Sequence, residues 1–65
     1  MSNLNVFIVM LESSKTEQLP VRIFLAHHTL SGIVTHVDVD YVEIRTEEGK
    51  RGLISLEKIE AITGH

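Results

Sequence analysis

Apolar positions follow two periods along this chain. In the first dozen residues, Leu4, Phe7, Ile8 and Leu11 recur at the i, i+3, i+4, i+7 spacing of one helix face, with Ser2 or Asn3 available as a cap. Val6, Ile8 and Met10 in the same stretch also alternate, and its β-branched residues suit a strand. The spacing favours a short helix over residues 2–13, with a strand as the competing reading. Ser13 to Gln18 reads as a polar connection.

From Pro20 onward the period is two. Val21, Ile23 and Leu25 form the inner face of a first predicted strand, and His27-His28-Thr29 the turn after it. A second strand runs from Leu30 to Val37. Leu30, Gly32 and Val34 share one parity, but the next apolar positions are Val37 and Val39. The strand must therefore bend or bulge, and Gly32 permits a sharp bend. Asp38-Val39-Asp40 reads as a tight turn. A third strand, Tyr41 to Thr46, puts Val42 and Ile44 inward. Glu47-Glu48-Gly49-Lys50 is a hairpin loop with glycine where positive φ is wanted. Arg51 to Leu56 and Lys58 to Thr63 complete the set, the last with Ile59 and Ile62 apolar. Five short strands at this spacing predict a mainly β fold: a small, bent, five-stranded antiparallel barrel with a short N-terminal helix.

A length of 65 residues makes this one domain, residues 1–65. So short a chain buries only roughly 60% of the surface it exposes when unfolded, so its core is marginal alone. Without cysteine, neither disulfides nor thiolate zinc sites can support it. Yet 43% of the residues are hydrophobic, and association of subunits is the simplest way to hide them. No apolar run approaches the roughly 20 residues of a membrane span. The first residues lack a basic n-region and a small-residue cleavage site, so a cytoplasmic protein is expected. The net charge of −3 gives poor long-range attraction for phosphate, and a ring would multiply it.

Chemistry-bearing residues are few. No nucleotide loop, nucleophile–base pattern or helical HxxxH spacing occurs, so no enzyme, metal or cofactor is expected. Adjacent His27 and His28 point apart in a strand or turn, and Asp38 and Asp40 suit turn chemistry. Phe24 has outward parity between inward Ile23 and Leu25. It can stack a base or pack against the N-terminal segment or a neighbour. Tyr41 has the same two readings. Arg22, Arg45, Lys50 and Arg51 are the basic candidates. Lys50-Arg51 stands beside Glu47-Glu48, so ion pairing across the hairpin competes there with a phosphate-tracking rim.

The order of elements, with Leu19-Pro20-Val21-Arg22-Ile23-Phe24-Leu25, Leu30-Ser31-Gly32-Ile33-Val34-Thr35-His36-Val37-Asp38, Leu53-Ile54 and Ile59-Glu60-Ala61-Ile62, resembles the Sm-like family, most of all its bacterial Hfq branch. The glycine at the bend and the pair Val37-Asp38 are its most specific parts. The resemblance implies a homo-oligomeric ring of five to seven subunits that binds single-stranded RNA. It also implies pairing of the fourth strand with the fifth strand of a neighbour, through Leu53, Ile54, Leu56, Ile59 and Ile62. The pairing would cover two edge strands that are otherwise aggregation-prone. The family's uridine motifs do not carry over. Asp38 is present, but the asparagine position falls near Val42. Ser55-Leu56-Glu57 stands where the family has Arg-Gly or Tyr-Lys-His, so a carboxylate replaces a cation. The Hfq branch stacks adenine on an aromatic of the first strand. Phe24 falls at that position, and Leu30 matches a nearby apolar contact across a loop one residue shorter. The implied RNA face therefore holds Phe24 and Leu30, with Arg22, Tyr41, Lys50 and Arg51. An oligomeric scaffold without RNA, and an SH3-like barrel working as a monomer, are the competing readings.

Overall fold

The computed structural model describes residues 3–64, and side chains from residue 6 to 64. Ser2, named above as a cap, and His65 lie outside the described residues, as do the side chains of Asn3 and Leu4.

The first segment is a helix, α1, over Asn3–Glu17, and it is longer than expected. Leu11 and Ser14 are buried, and Phe7 packs against the core. That i, i+4, i+7 stripe decides against the alternating reading, which would have used the exposed Val6. The expected polar connection from Ser13 is instead the last turn of the helix. Lys15 and Glu17 favour a helix, and the turn has local partners: Lys15 pairs with Glu12 at 3.2 Å, and the Ser13 hydroxyl donates to Glu17 at 3.0 Å. Gln18 ends the helix in the left-handed region, with φ 58°. The Leu19 N–H then donates back to the Ser14 carbonyl at 3.2 Å, and Pro20 follows.

Ser14 is the polar rivet of the fold. Its buried hydroxyl donates to the Leu19 carbonyl at 2.6 Å and accepts the Val34 N–H at 3.2 Å, so it ties α1 to the sheet. Ser14→Ala would leave a buried backbone donor unpaired. We expect it to cost about 1–3 kcal/mol, read as a lower urea midpoint. A domain of this size has roughly 3–10 kcal/mol in total. An unchanged midpoint would mean that the hydroxyl is not a fastening.

Five strands follow: β1 (Val21–Phe24), β2 (Thr29–Val37), β3 (Tyr41–Thr46), β4 (Arg51–Ser55) and β5 (Ala61–Thr63). They form one antiparallel sheet in the order β4-β3-β2-β1-β5. Val21, Ile23, Val34, Val42, Ile44, Ile54, Leu56 and Ile59 make the core together with Leu11. The third strand and its hairpin loop are as expected, with Val42 and Ile44 fully buried and Gly49 at φ 83°.

The parity change in β2 is the bulge that was one of the two expected forms, and it lies three residues beyond Gly32. Val34 pairs with Ile44 and His36 with Glu43, which leaves Thr35 as the extra residue of a bulge. The bulge lets Val34 and Val37 both face inward. Gly32 instead sits where β2 changes partner, opposite Val21 on one side and Thr46 on the other.

The end of the chain also departs from the expected pattern. β4 stops at Ser55, and Leu56–Lys58 form a 3₁₀ turn, so the fifth strand begins only at Ala61. Residues three apart eclipse in a 3₁₀ turn, and this brings Leu56 and Ile59 together into the core. Two bonds fasten this turn. The Leu56 N–H donates to the Asp40 carbonyl, and the Glu60 N–H donates to Phe24, at 2.9 and 2.8 Å.

Candidate nucleic-acid interface

The register of the sheet sorts the outward side chains into rows, since directly opposed residues rise from the same face. Phe24 lies between Thr29 on β2 and Ala61 on β5. Both neighbours are small, and Phe24 is half-buried and outside the core cluster, so part of its ring is open to a planar partner. The next row is Thr63, Arg22 and Ser31. Arg22 lines two adjoining surface grooves of about 360 and 480 Å³. Glu47 lines both and Glu48 the second, which makes that end of the surface mixed in charge.

Leu30 does not join Phe24. It pairs with fully buried Ile23 and packs half-buried against the core, and it reaches the surface only where it lines the second groove with Arg22 and Thr29. Tyr41 is at the far end of β3, opposite Ser55, with its ring centroid 6.1 Å from that of His36. Between these rings sits Asp38. Its carboxylate accepts the Val39 N–H at 2.7 Å and lies 3.5 Å from His36 Nε2. The Val39 bond first, then His36 and the Tyr41 hydroxyl, hold its pKa below the ordinary carboxylate value. Asp38 is thus committed to its own turn.

Lys50 and Arg51 are exposed, and the ion pairs expected with Glu47 and Glu48 do not form. Among the described residues the ion pairs are Lys15–Glu12 and His36–Asp38. The reason is register: Arg51 stands opposite Arg45, while Glu47 lines the groove with Arg22.

The residues expected at a subunit contact divide sharply. Ile54, Leu56 and Ile59 fill this subunit's own core, and Ile62 packs against that core opposite Ile23. Their side chains are spent, because the 3₁₀ turn and the inward parity of β4 direct them to the interior. Leu53 is 65% exposed. What remains for a neighbour is backbone. The Leu25 N–H turns to β2, so Phe24 and Arg22 turn to β5, and their partners Ala61 and Thr63 turn back to β1; the Ile62 N–H is left facing the open edge of β5. The Leu56 N–H faces the β3 side, so those of Arg51, Leu53 and Ser55 face the open edge of β4. Side-chain patterning could not find these groups; only the register shows them.

No three His, Cys, Asp or Glu side chains gather to hold a metal ion among the described residues. No described helix is long and apolar enough to cross a membrane.

With this geometry in view, the solved structure of the pleiotropic translational regulator Hfq, at 1.55 Å, superposes on the chain with a TM-score of 0.79. The match covers 91% of this chain and 98% of that one at 27% identity. The chain has the Sm-like fold. It is similar to Hfq in helix, strand order and extent, and nearly the whole of either chain takes part. No family model and no curated protein matches the sequence. At the end of β4 the chain reads Ser55-Leu56-Glu57, with Leu56 buried and Glu57 exposed.

Proposed function

We propose that this chain assembles edge to edge, β4 on β5 of the next copy, into a homo-oligomeric ring, and that the ring binds single-stranded RNA on the face that carries Phe24. The observation behind this reading is a half-open aromatic ring flanked by Thr29 and Ala61, on a fold shared with a translational regulator. Aromatic stacking contributes about 1–3 kcal/mol per base, and it is indifferent to the protein's net charge. The segment Ser55-Leu56-Glu57 supplies no cation, so a phosphate-bearing uridine is not favoured beside it.

The test is native mass spectrometry at low salt, with and without a short oligoadenylate. A closed ring that gains oligonucleotide mass is expected. Phe24→Ala should weaken binding by about 5- to 100-fold, the equivalent of one lost stack, and leave the ring intact. A ring that binds no oligonucleotide of any sequence would remove the RNA reading. It would favour an oligomeric scaffold, to which the net charge of −3 and the exposed Glu47, Glu48 and Glu57 are suited. A monomer in both samples would remove the ring.

A further inference from the structure

Arg45 on β3 and Arg51 on β4 are direct partners in the antiparallel ladder, so their side chains rise together from the outward face. Both are exposed, with Lys50 next in the chain. Like charges directly opposite destabilise a strand pair, and neither arginine has an ion-pair partner among the described residues. The carboxylates on the same face of β3 are Glu43 and Glu47, two positions to either side. Glu43 accepts the Thr35 hydroxyl at 3.0 Å, and Glu47 lines the groove with Arg22. A concavity of about 260 Å³ opens at the pair, lined by Thr35, Glu43, Ile44, Arg45, Gly49 and Arg51.

We propose that Arg45 and Arg51 form a clamp for one phosphodiester of a single-stranded nucleic acid. The inference rests on the RNA reading above and deepens it, by assigning the backbone contact that Arg22, beside Glu47 and Glu48, is poorly placed to make. Two guanidinium forks offer paired donors that match the oxygens of one phosphate, and the anion relieves their mutual repulsion. Such a contact positions the strand and carries no sequence preference, whereas Phe24 touches bases. It also explains how a chain of net charge −3 can hold a polyanion: the attraction is local.

The experiment measures binding of a short oligoadenylate, and of an abasic oligonucleotide of equal length, at several salt concentrations. The proteins are wild type, Arg45→Gln/Arg51→Gln, Arg51→Glu and Phe24→Ala. The double glutamine variant should weaken both probes by about tenfold at low salt and reduce the slope of log affinity against log salt by about 0.7 per subunit engaged. Phe24→Ala should weaken the oligoadenylate alone. Arg51→Glu sets a carboxylate opposite Arg45, so it should raise the thermal midpoint while abolishing abasic binding. A merely structural arginine would lower the midpoint instead, and that result would overturn the clamp. Unchanged affinity and slope in the double variant, with oligoadenylate still bound, would overturn the clamp and leave the RNA reading intact. Wild type that binds neither probe would overturn both.

Discussion

Gly32→Ala is expected to lower the urea midpoint sharply, removing about a third or more of the folding stability. A Cβ on Gly32 would run into the Arg45 carbonyl oxygen, with the Arg45 carbonyl carbon at 2.9 Å and the Thr46 Cα at 3.1 Å. Every one of these atoms is backbone of β3, so no side chain can swing away. Relief requires β2 and β3 to separate where β2 passes from β1 to β3. Forced overpacking of this kind costs about 3 kcal/mol or more, against roughly 3–10 kcal/mol for the whole domain. The measurement is a urea titration followed by far-UV circular dichroism. Gly52→Ala is the matched control, because the nearest atom to its added Cβ is Ile44 Cγ1 at 3.4 Å, an ordinary contact. A Gly32→Ala protein as stable as Gly52→Ala would show that the two strands do not approach this closely.

The second large effect is on assembly. Ile62→Pro should convert the proposed ring to monomers of 7.3 kDa while the far-UV spectrum stays that of the parent. Proline is tolerated on an edge strand where its missing N–H would have faced away from the sheet. Ile62 is such a position, since its neighbours Ala61 and Thr63, opposite Phe24 and Arg22, are the ones that turn to β1. The pairs of Ala61 with Phe24 and of Thr63 with Arg22 are left in place, and the proline ring keeps an apolar group opposite Ile23. What is lost is a donor to a neighbour, and the ring adds a bulge on the approaching side. A ring of unchanged mass would show that β5 is not the docking edge.

Much of this fold was legible in the sequence. The period-two strands, the Gly49 hairpin and the inward Val42 and Ile44 follow from alternation alone. Alternation failed where the chain left regular geometry. Thr35 is an inserted residue with no apolar signature, so the parity change announced a bend or bulge without placing it, and only Gly32 stood out as a site for a bend. Leu56 and Ile59 are three apart, and that spacing was read as strand when a 3₁₀ turn was placing both inward. Ser14 looked like linker because a buried hydroxyl is not distinguishable from an exposed one until its partners, Leu19 and Val34, are known. The candidate surface was half visible. The outward position of Phe24 follows from parity, whereas Leu30, placed beside it by analogy, pairs with Ile23 and packs against the core. The pairing of Arg45 with Arg51 depends on a cross-strand register that the loop length alone does not fix.

The two open edges of the sheet are unlike each other: one belongs to β4, the other to β5. In the proposed ring, association through them is therefore directional, and each copy must both give and receive. A copy blocked only at β5 still offers β4, so it can join the growing arc as its last member and prevent closure. Such a subunit is dominant over its neighbours. When it is mixed with unaltered protein before assembly, the fraction of closed circles should fall as the unaltered fraction raised to a power. That power is the number of subunits, so the steepness of the poisoning curve counts them.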